Sequence, residues 1–482
     1  MELKLVSANP ALLETDAVVL IETEGGRRPE LAAYGHLYES GEISGKLSEF
    51  TLLHSVPGIS AHRVLLVGGG KAEKLDPAAV QRLAGAAVRH IKGKGVRTIA
   101  ISLDGSLGGA AFVEAAARGI LGGIWEPDVH KTKKASHKAV ESISIVVPDV
   151  TAEISSAFEK GTVIGEAINV SRDIAVEPPN LLTPLVLADR ARAIAEAEGL
   201  SVEILDRDRM TQLGMGSLLG VAQGSDQPPV MIVIRYTPEV PSKDHLGLVG
   251  KAVTFDTGGI SIKPSEGMEK MKYDMCGGAA VIGAMQAIAR LKPPVAVTAF
   301  VPSVENMPGA NAQRPSDIVK SYSGKTIEVL NTDAEGRLIL VDAIEYAKQL
   351  GCTHLVDAAT LTGAIVVALG FVSSGVFTNN DGFLSQFLAA SKVSNEKMWP
   401  MPLDDDYSEQ LKCVYADIQN IAGSRWGGAC TAAAFLKEFV GDTPWVHVDC
   451  AGTAWIDDAK PHLAKGPVGI PLATFVNLAL NW

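Results

Sequence analysis

The most restrictive feature of this sequence is the alternation of short apolar runs with longer amphipathic segments after residue 200. The pattern predicts strands at 230–235, 246–255, 295–301, 354–357 and 445–449, and helices at 279–291 and 337–350. When strands and helices alternate in this way, the helices cover both faces of a largely parallel sheet. The second part of the chain is therefore predicted to be an α/β domain.

The N-terminal part shows a similar pattern on a smaller scale. Apolar runs at 17–21, 64–67 and 99–101 predict buried strands. The pair Asp76-Pro77 predicts the start of a helix, because Asp caps helices well and Pro is favoured at the first helical position. This part is therefore also expected to be α/β.

The length of the chain predicts two domains. Its 482 residues are about two to three times a domain of ~100–200 residues. A helical pattern over 150–175 is a natural link between two cores. We therefore expect a smaller N-terminal α/β domain over 1–150. A larger domain over 151–482 would contain a mostly parallel central sheet covered by helices.

Charge and cysteine content restrict the partners and the location of the protein. Lys and Arg total 43 against 55 Asp and Glu, which gives a net charge of −12 and disfavours nucleic-acid or membrane binding. The five cysteines are scattered, and no apolar run reaches the ~18–20 residues of a membrane span. With no signal peptide apparent at the N-terminus, we expect a soluble cytoplasmic protein with reduced thiols.

Polar residues stand where predicted strands end, which is where functional groups gather in doubly wound sheets. The predicted strand at 246–255 contains Lys251 and is followed directly by Asp256. A buried Lys needs a charged partner or a lowered pKa. Asp274 precedes a pair of glycines and a predicted helix.

A third polar group lies just before the predicted helix at 337–350. Asp333, Glu335 and Arg337 are spaced two residues apart, so their side chains would share one face of an extended segment. Carboxylates that converge cannot all stay ionised without cations. Oxygen ligands suit Mn, Mg or Zn, and two divalent ions about 3.5–4 Å apart activate water and polarise a carbonyl. The sequence therefore predicts a carboxylate metal cluster.

Each of these residues also has a purely structural explanation. Asp256 is well placed to cap a turn, and Asp274 to cap the helix that follows it. Asp333 and Glu335 would favour a helix N-terminus through the helix dipole, with Arg337 as their ion-pair partner. These explanations stay open for each residue taken alone.

Residues 331–338, with the sequence NTDAEGRL, resemble the signature octapeptide of the leucyl (cytosol) aminopeptidase family. Further segments similar to this family are 250–278, 177–180, 357–363 and 451–455. The resemblance covers about 165–482 strongly. It implies a two-domain dimetal aminopeptidase that acts on peptides with a free N-terminus. It also implies a homohexamer, and the N-terminal domain is expected to serve oligomerisation or regulation.

The resemblance assigns metal-binding roles to five residues. Asp256 and Glu335 are expected to bridge two divalent ions, Mn²⁺ or Zn²⁺. Lys251 and Asp274 would complete the tighter site, and Asp333 the more exchangeable one. Lys251 must be neutral to act as a ligand, which the field of the cation makes possible.

The resemblance also implies roles in catalysis and substrate binding. Lys263 is expected to polarise the scissile carbonyl, and Arg337 to hold a bicarbonate that acts as general base. An apolar pocket for Leu- or Met-like first residues is expected from Met271, Thr360, Gly363 and Ala451. One departure from the family pattern is Ala252, where the family usually has Gly.

Other classes of function remain as alternatives. A metal-dependent phosphoesterase would also use clustered carboxylates, although Lys251 as a ligand and the octapeptide weigh against it. A DNA-binding accessory protein is disfavoured by the negative charge. An inactive structural relative is disfavoured because every expected site residue is present.

Overall fold

A computed structural model describes residues 1–133 and 139–482 of the chain. The chain divides into two compact units. One comprises 1–169 with 457–466, and the other comprises 170–456 with 467–482. Each unit contains a sheet with helices, which confirms the predicted α/β class.

The first unit is built on a six-stranded sheet. Its strands are β1 (Glu2–Ser7), β2 (Ala17–Thr23), β3 (Phe50–His54), β4 (Arg63–Gly70), β5 (Thr98–Ser102) and β6 (Ser142–Val147). They lie in the order β1-β6-β5-β2-β4-β3, with β3 antiparallel to β4 and the other neighbours parallel. The helices are α1 (Gly35–Glu39), α2 (Pro77–Ile91) and α3 (Ala110–Ile124), and α4 (Ala152–Ala175) follows the sheet.

The apolar runs of this unit are explained by burial on both faces of the sheet. Val19 and Leu65 pack in one core with Leu83 of α2, whereas Val18 and Leu66 belong to a second core on the opposite face. Successive side chains of a strand point to opposite faces, so a strand covered on both sides is apolar at every position. The three N-terminal strand predictions are thereby confirmed.

The second unit contains a longer series of elements. Its strands are β7 (Ser201–Leu205), β8 (Val230–Tyr236), β9 (His245–Gly250), β10 (Ala252–Asp256), β11 (Ala296–Asn306), β12 (Asp317–Lys320), β13 (Thr326–Val329), β14 (His354–Ala359), β15 (Ser374–Thr378), β16 (Met398–Pro400), β17 (Ile418–Gln419), β18 (Trp445–Asp449) and β19 (Trp455–Ile456), and β20 (Gly466–Pro467) follows. Its helices are α5 (Pro184–Ala197), α6 (Arg207–Leu213), α7 (Gly216–Val221), α8 (Cys276–Leu291), α9 (Glu335–Gln349), α10 (Gly363–Leu369), α11 (Asp381–Ser394), α12 (Asp405–Glu409), α13 (Gly428–Val440) and α14 (Leu472–Leu480).

The main sheet of this unit is parallel at its centre and mixed at its edges. The strand order is β16-β15-β18-β14-β9-β11-β8-β7, and β10 pairs with β11. The four central strands β18, β14, β9 and β11 are mutually parallel, whereas β8 and β15 run antiparallel to their inner neighbours. The central parallel strands end on one side, where Lys251 follows β9 and Thr360 follows β14.

The strand predicted at 246–255 is interrupted at Lys251, so that prediction of a single strand was wrong. The segment β9 pairs with β14 as far as Gly250 opposite Ala358, and β10 then continues the pairing with β11. At the interruption, the backbone carbonyl of Lys251 accepts a hydrogen bond of 2.7 Å from Gly278 N, near the start of α8. A helix N-terminus has unpaired N–H groups, and here one of them takes the acceptor that a strand neighbour would otherwise use.

Two glycines allow this close approach of helix and strand. A Cβ atom on Gly250 would lie 2.7 Å from Gly277 O, and one on Gly277 would lie 2.1 Å from Ala358 O. Any side chain at these positions would push α8 away from the sheet. The close contact at Gly250 and Gly277 therefore places Asp274, two residues before α8, close to the strand ends.

The helix α9 begins at Glu335, so the expectation of an extended segment through Asp333, Glu335 and Arg337 was wrong. Glu335 and Arg337 lie in the first helical turn, where an acidic residue interacts favourably with the dipole. Further along the same helix, the fully buried Asp342 accepts hydrogen bonds of 2.8 Å from the backbone N–H groups of Leu218 and Tyr322. Asp342 thus fixes α9 against α7 and the turn after β12.

Within the part of the chain that the structure describes, no helix has the length and apolar character needed to cross a lipid bilayer.

The substitution Asp342→Ala is expected to lower the free energy of unfolding by about 2–5 kcal/mol, because two buried N–H donors lose their acceptor. Urea denaturation followed by circular dichroism measures the change. The control is Asp442→Ala, which changes an exposed carboxylate in the turn after α13. Equal stability of the two variants would contradict the anchoring role of Asp342.

Candidate metal centre

The predicted metal-binding residues converge at the ends of the central strands of the second unit. Lys251 lies at the interruption between β9 and β10, and Asp256 is the last residue of β10. Asp274 lies just before α8, Asp333 lies in the turn before α9, and Glu335 begins α9. Three separate segments of the sequence, 251–256, 274 and 333–335, therefore meet near the ends of the parallel strands.

Three carboxylates form the centre of the group. One oxygen each of Asp256, Asp333 and Glu335 lies within 4.8 Å of the others. Asp256 and Glu335 are each 2% exposed, whereas Asp333 is half-buried. The arrangement offers three oxygen ligands to one cation, two of them buried and one more accessible.

Lys251 joins the fourth carboxylate to this group. Its Nζ lies 2.7 Å from Glu335 Oε1 and 2.9 Å from Asp274 Oδ2. It also donates a hydrogen bond of 3.0 Å to the carbonyl of Thr360. Burial alone would lower the pKa of Lys251, but Asp274, Glu335 and Asp256 together raise it above its usual value.

A second lysine lies on the open side of the cluster. Lys263 Nζ is 2.7 Å from Asp256 Oδ2 and donates a hydrogen bond to Asp333 Oδ1. Its side chain is one-fifth exposed and that of Asp333 one-third exposed, so this is the solvent-facing side of the cluster. Burial opposes the charge of Lys263, but the surrounding carboxylates raise its pKa and keep it protonated.

The carboxylates themselves are destabilised as anions. Burial is the main cause that raises the pKa of Asp274, Glu335 and Asp333, and neighbouring carboxylates raise each further. Four carboxylates and two ammonium groups leave a net charge of −2 (−4 + 2) when all are ionised. An uncompensated negative charge in a buried site favours a divalent cation.

The two carboxylate oxygens of Asp274 also fit a role in metal binding. Its Oδ2 is buried and accepts no hydrogen bond from the described residues, although Lys251 Nζ lies 2.9 Å away. Its other oxygen accepts a hydrogen bond of 2.7 Å from Thr360 Oγ1. One oxygen is therefore fixed by a hydroxyl and the other is left for a cation. The residues present fit a divalent metal.

Asn306 is a residue of this site that the sequence reasoning missed. Its Nδ2 donates to Asp256 Oδ1 at 2.8 Å and to the carbonyl of Thr332 at 3.0 Å. Asp256 lies opposite Asn306 in the pairing of β10 with β11, which explains the contact. The available signal was a polar amide at the end of a long apolar strand. Asp256 also accepts a bond from Gly258 N, so it caps a turn as well.

Arg337 is buried in the first turn of α9. Its Nη1 donates to the carbonyl of Asn420 at 2.6 Å, and its Nε finds no hydrogen-bond partner among the described residues. No ion pair within 4 Å joins it to Asp333 or Glu335 in the described structure, contrary to the structural explanation weighed above. Burial lowers the pKa of Arg337 to about 10, so it is still charged at neutral pH.

The predicted pocket residues lie on segments around the cluster. Thr360 contacts it directly through Lys251 and Asp274. Met271 lies in a short helical turn just before Asp274, Gly363 begins α10, and Ala451 follows β18. That these four residues bind the first side chain of a substrate stays a prediction.

Fold and site together define an α/β protein with a carboxylate-rich site for divalent metal. Two family models match the chain: the cytosol aminopeptidase catalytic domain over residues 169–476, and the N-terminal domain of the same family over 32–134. The chain therefore belongs to the cytosol aminopeptidase family. This confirms the resemblance found in the sequence and makes the protein a peptidase.

Individual relatives agree with this assignment along the whole chain. A probable cytosol aminopeptidase of Solibacter usitatus is 58% identical over 471 residues, which cover 98% of this chain and 97% of that protein. One from Koribacter versatilis is 46% identical over 517 residues and covers both chains completely.

Two solved structures show the same fold. A mutant of tomato leucine aminopeptidase is 33% identical with a TM-score of 0.90, covering 100% of this chain and 97% of that one. The bottromycin maturation enzyme BotP in complex with Mn is 32% identical with a TM-score of 0.87, covering 97% and 99%. The family and this complex support a dependence on divalent metal, as the carboxylate cluster does.

The substitution Asn306→Ala is expected to weaken Mn²⁺ binding by about 10–100-fold, because Asp256 loses the amide that orients it. Calorimetric titration of chelator-treated protein measures the affinity. The control is Asn379→Ala, which removes hydrogen bonds to Gly441, Thr443 and Trp445 elsewhere in the same unit. A similar loss of affinity in both variants would attribute the effect to general destabilisation.

Proposed function

We propose that this protein is a two-metal aminopeptidase that removes Leu- or Met-like residues from the free N-terminus of peptides. The observation that carries the proposal is the convergence of four carboxylates around Lys251 and Lys263 with a net negative charge. Burying carboxylates and ammonium groups together is energetically expensive, so such a cluster is unusual unless it has a function beyond ion pairing. The metals proposed are Mn²⁺ or Zn²⁺.

The proposed ligand assignment follows the position of each side chain. Asp256 and Glu335, the two most buried carboxylates of the central group, would help to hold both ions. Lys251 and Asp274 would complete one site, and the more exposed Asp333 the other. When bound, the ions supply the positive charge that activates a water molecule and polarises a carbonyl. Lys251 must give up a proton to become a ligand.

Lys263 is the proposed electrostatic group for the scissile carbonyl. Its ammonium group is kept charged by Asp256 and the other carboxylates, and it borders the open side of the cluster. A fixed positive charge at this point stabilises the negative charge that develops on the carbonyl oxygen during attack. Lys263 pairs with Asp256 and Asp333, two of the residues that would hold the ions, so bound ions would compete with it for these carboxylates.

Arg337 is the proposed holder of a bicarbonate ion. It is a buried cation with one N–H left unpaired among the described residues, and Asn420 fixes its other end. A buried cation with an unpaired N–H suits a small anion that accepts a hydrogen bond from it. The bound anion would supply a general base.

The proposed pocket for the first residue of the substrate is lined by Met271, Thr360, Gly363 and Ala451. Gly363 and Ala451 leave room for a side chain, and Met271 adds an adaptable apolar surface. Thr360 connects this pocket to the metal cluster through its contacts with Lys251 and Asp274. An aliphatic first residue is therefore the preferred substrate, by the burial of its apolar surface.

Assembly and location are part of the same proposal. We infer a homohexamer in which the N-terminal unit serves assembly or regulation, and light scattering of the purified protein tests the mass. All five cysteines are free, which supports a reducing compartment such as the cytoplasm.

Purified protein loaded with Mn²⁺ or Zn²⁺ is expected to hydrolyse leucine p-nitroanilide, and removal of the metal by a chelator is expected to abolish the activity. The physical reason is that the activation of water and the polarisation of the carbonyl are assigned to the bound ions. Absorbance of released nitroaniline measures the rate. The control is the N-acetylated substrate. The proposal would be refuted if the protein hydrolysed this control, or if it did not hydrolyse the substrate with a free amine.

The substitution Lys263→Ala is expected to lower kcat by about 10²–10³-fold with a smaller effect on KM, because the lost charge acts mainly on the transition state. Steady-state kinetics measure both constants. The matched control is Lys272→Ala, since Lys272 Nζ lies nearby in sequence but donates to the carbonyl of Val176. Activity of the Lys263 variant near that of the control would remove the assigned role.

A further inference from the structure

Asp449 is a buried carboxylate that the proposed reaction does not use. It is the last residue of β18 and is 1% exposed. Its Oδ1 accepts hydrogen bonds from the backbone N–H groups of Leu361 at 3.1 Å and Ala451 at 3.2 Å. Its Oδ2 accepts a bond of 2.6 Å from Thr362 Oγ1. One side chain therefore holds two separate backbone segments.

Both of these segments carry proposed pocket residues. The first contains Thr360 and Gly363 and continues into α10, whose N-terminus is capped by Thr362 Oγ1 through a bond from Ile365 N. The second begins at Ala451. Asp449 thus joins the two segments that carry predicted pocket residues, because its Oδ1 accepts from the backbone of each.

The same two segments also pack against each other at their far ends. A Cβ atom on Gly452 would lie 2.2 Å from the carbonyl oxygen of Gly370, just beyond α10. This backbone contact leaves no room for the two segments to move closer together. A change in the bonds at Asp449 would therefore be transmitted to the spacing of the pocket and not absorbed by a loose loop.

A row of buried, hydrogen-bonded polar side chains on β14 and β18 precedes Asp449. On the neighbouring strand, Asp357 lies opposite His447 in the pairing of β14 with β18. His447 Nδ1 lies 2.6 Å from Asp357 Oδ1, and Trp445 Nε1 donates to Asp357 Oδ2 at 2.6 Å. All of these side chains are fully buried. Asp449 is on the same face of β18 as His447, two residues further on, so it continues this buried polar row.

We propose that Asp449 is a positioning residue that sets the width of the pocket for the first side chain of the substrate. The proposal rests on the proposed aminopeptidase function. If the carboxylate is removed, the N–H groups of Leu361 and Ala451 lose their acceptor, and the two segments rearrange to find others. Displacements of about 1 Å at a binding site are enough to change rates about 100-fold.

Asp342 provides a matched comparison for a purely structural role. It too is a fully buried aspartate that accepts two backbone N–H bonds, from Leu218 and Tyr322. Neither of those residues carries a proposed pocket role. A variant of Asp342 therefore reports the effect of losing a buried anchor without the effect on the pocket.

The experiment compares the ratio of kcat/KM for leucine p-nitroanilide over alanine p-nitroanilide in metal-loaded variants. We expect Asp449→Ala to lower this ratio at least about tenfold, the size expected when an apolar side chain loses its fitted pocket. Asp449→Asn retains acceptor capacity and should restore most of the ratio. Asp342→Ala should lower the melting temperature and leave the ratio unchanged.

A second pair of variants covers the case in which Asp449→Ala does not fold. Thr362→Val removes the hydroxyl that donates to Asp449, whereas Thr362→Ser keeps it. We expect the Val variant to shift the ratio in the same direction and the Ser variant to match the wild type. A wild-type ratio in Thr362→Val and in every folded Asp449 variant would overturn the proposal.

Failure of the aminopeptidase function gives a different result. In that case the wild type hydrolyses neither anilide, and calorimetry with L-leucine and L-alanine on the metal-loaded protein decides the inference. Weaker discrimination between these two amino acids in Thr362→Val than in Thr362→Ser would still support it. Equal discrimination in the two variants, or no binding of either amino acid to the wild type, would overturn it.

Discussion

The candidate metal centre depends on the packing of three buried carboxylates and the half-buried Asp333 beside one another. Such a cluster is stable only with positive charge close by, and Lys251 and Lys263 supply it within the chain. The interruption of the strand at Lys251 turns that ammonium group toward Asp274 and Glu335. The glycines at the start of α8 then bring Asp274 within reach. Local backbone geometry, side-chain choice and charge balance therefore all serve one small volume at the edge of the sheet.

The alternation of elements, the two α/β units and the cluster of polar strand ends were all predictable from the sequence, because periodicity and turn chemistry are local. The break at Lys251 was not, since it depends on a hydrogen bond from Gly278, which is distant in the sequence. The start of α9 at Glu335 depends likewise on packing. Asn306 and Asp449 escaped notice because their partners become neighbours only through the register of parallel strands.

The ligands are held by ordinary polar groups whose own positions are fixed by the sheet. Asn306 orients Asp256, the Thr360 hydroxyl orients Asp274, and the carbonyl of Asn420 fixes Arg337. Each of these groups stands in a segment that directly follows or ends a strand. A site built in this way is rigid before any ligand binds, which reduces the entropy lost on binding.

Thr360 has a consequence for the way the two halves of the site communicate. Its carbonyl accepts a hydrogen bond from Lys251 and its hydroxyl donates one to Asp274. The next residue, Leu361, is hydrogen-bonded to Asp449. Any ion that changes the positions of Lys251 and Asp274 must therefore also shift the segment at Thr360. Thermodynamic reciprocity then requires that whatever fills the neighbouring pocket alters the affinity for that ion by the same factor. The strength with which the protein retains metal would thus vary with the peptide it holds.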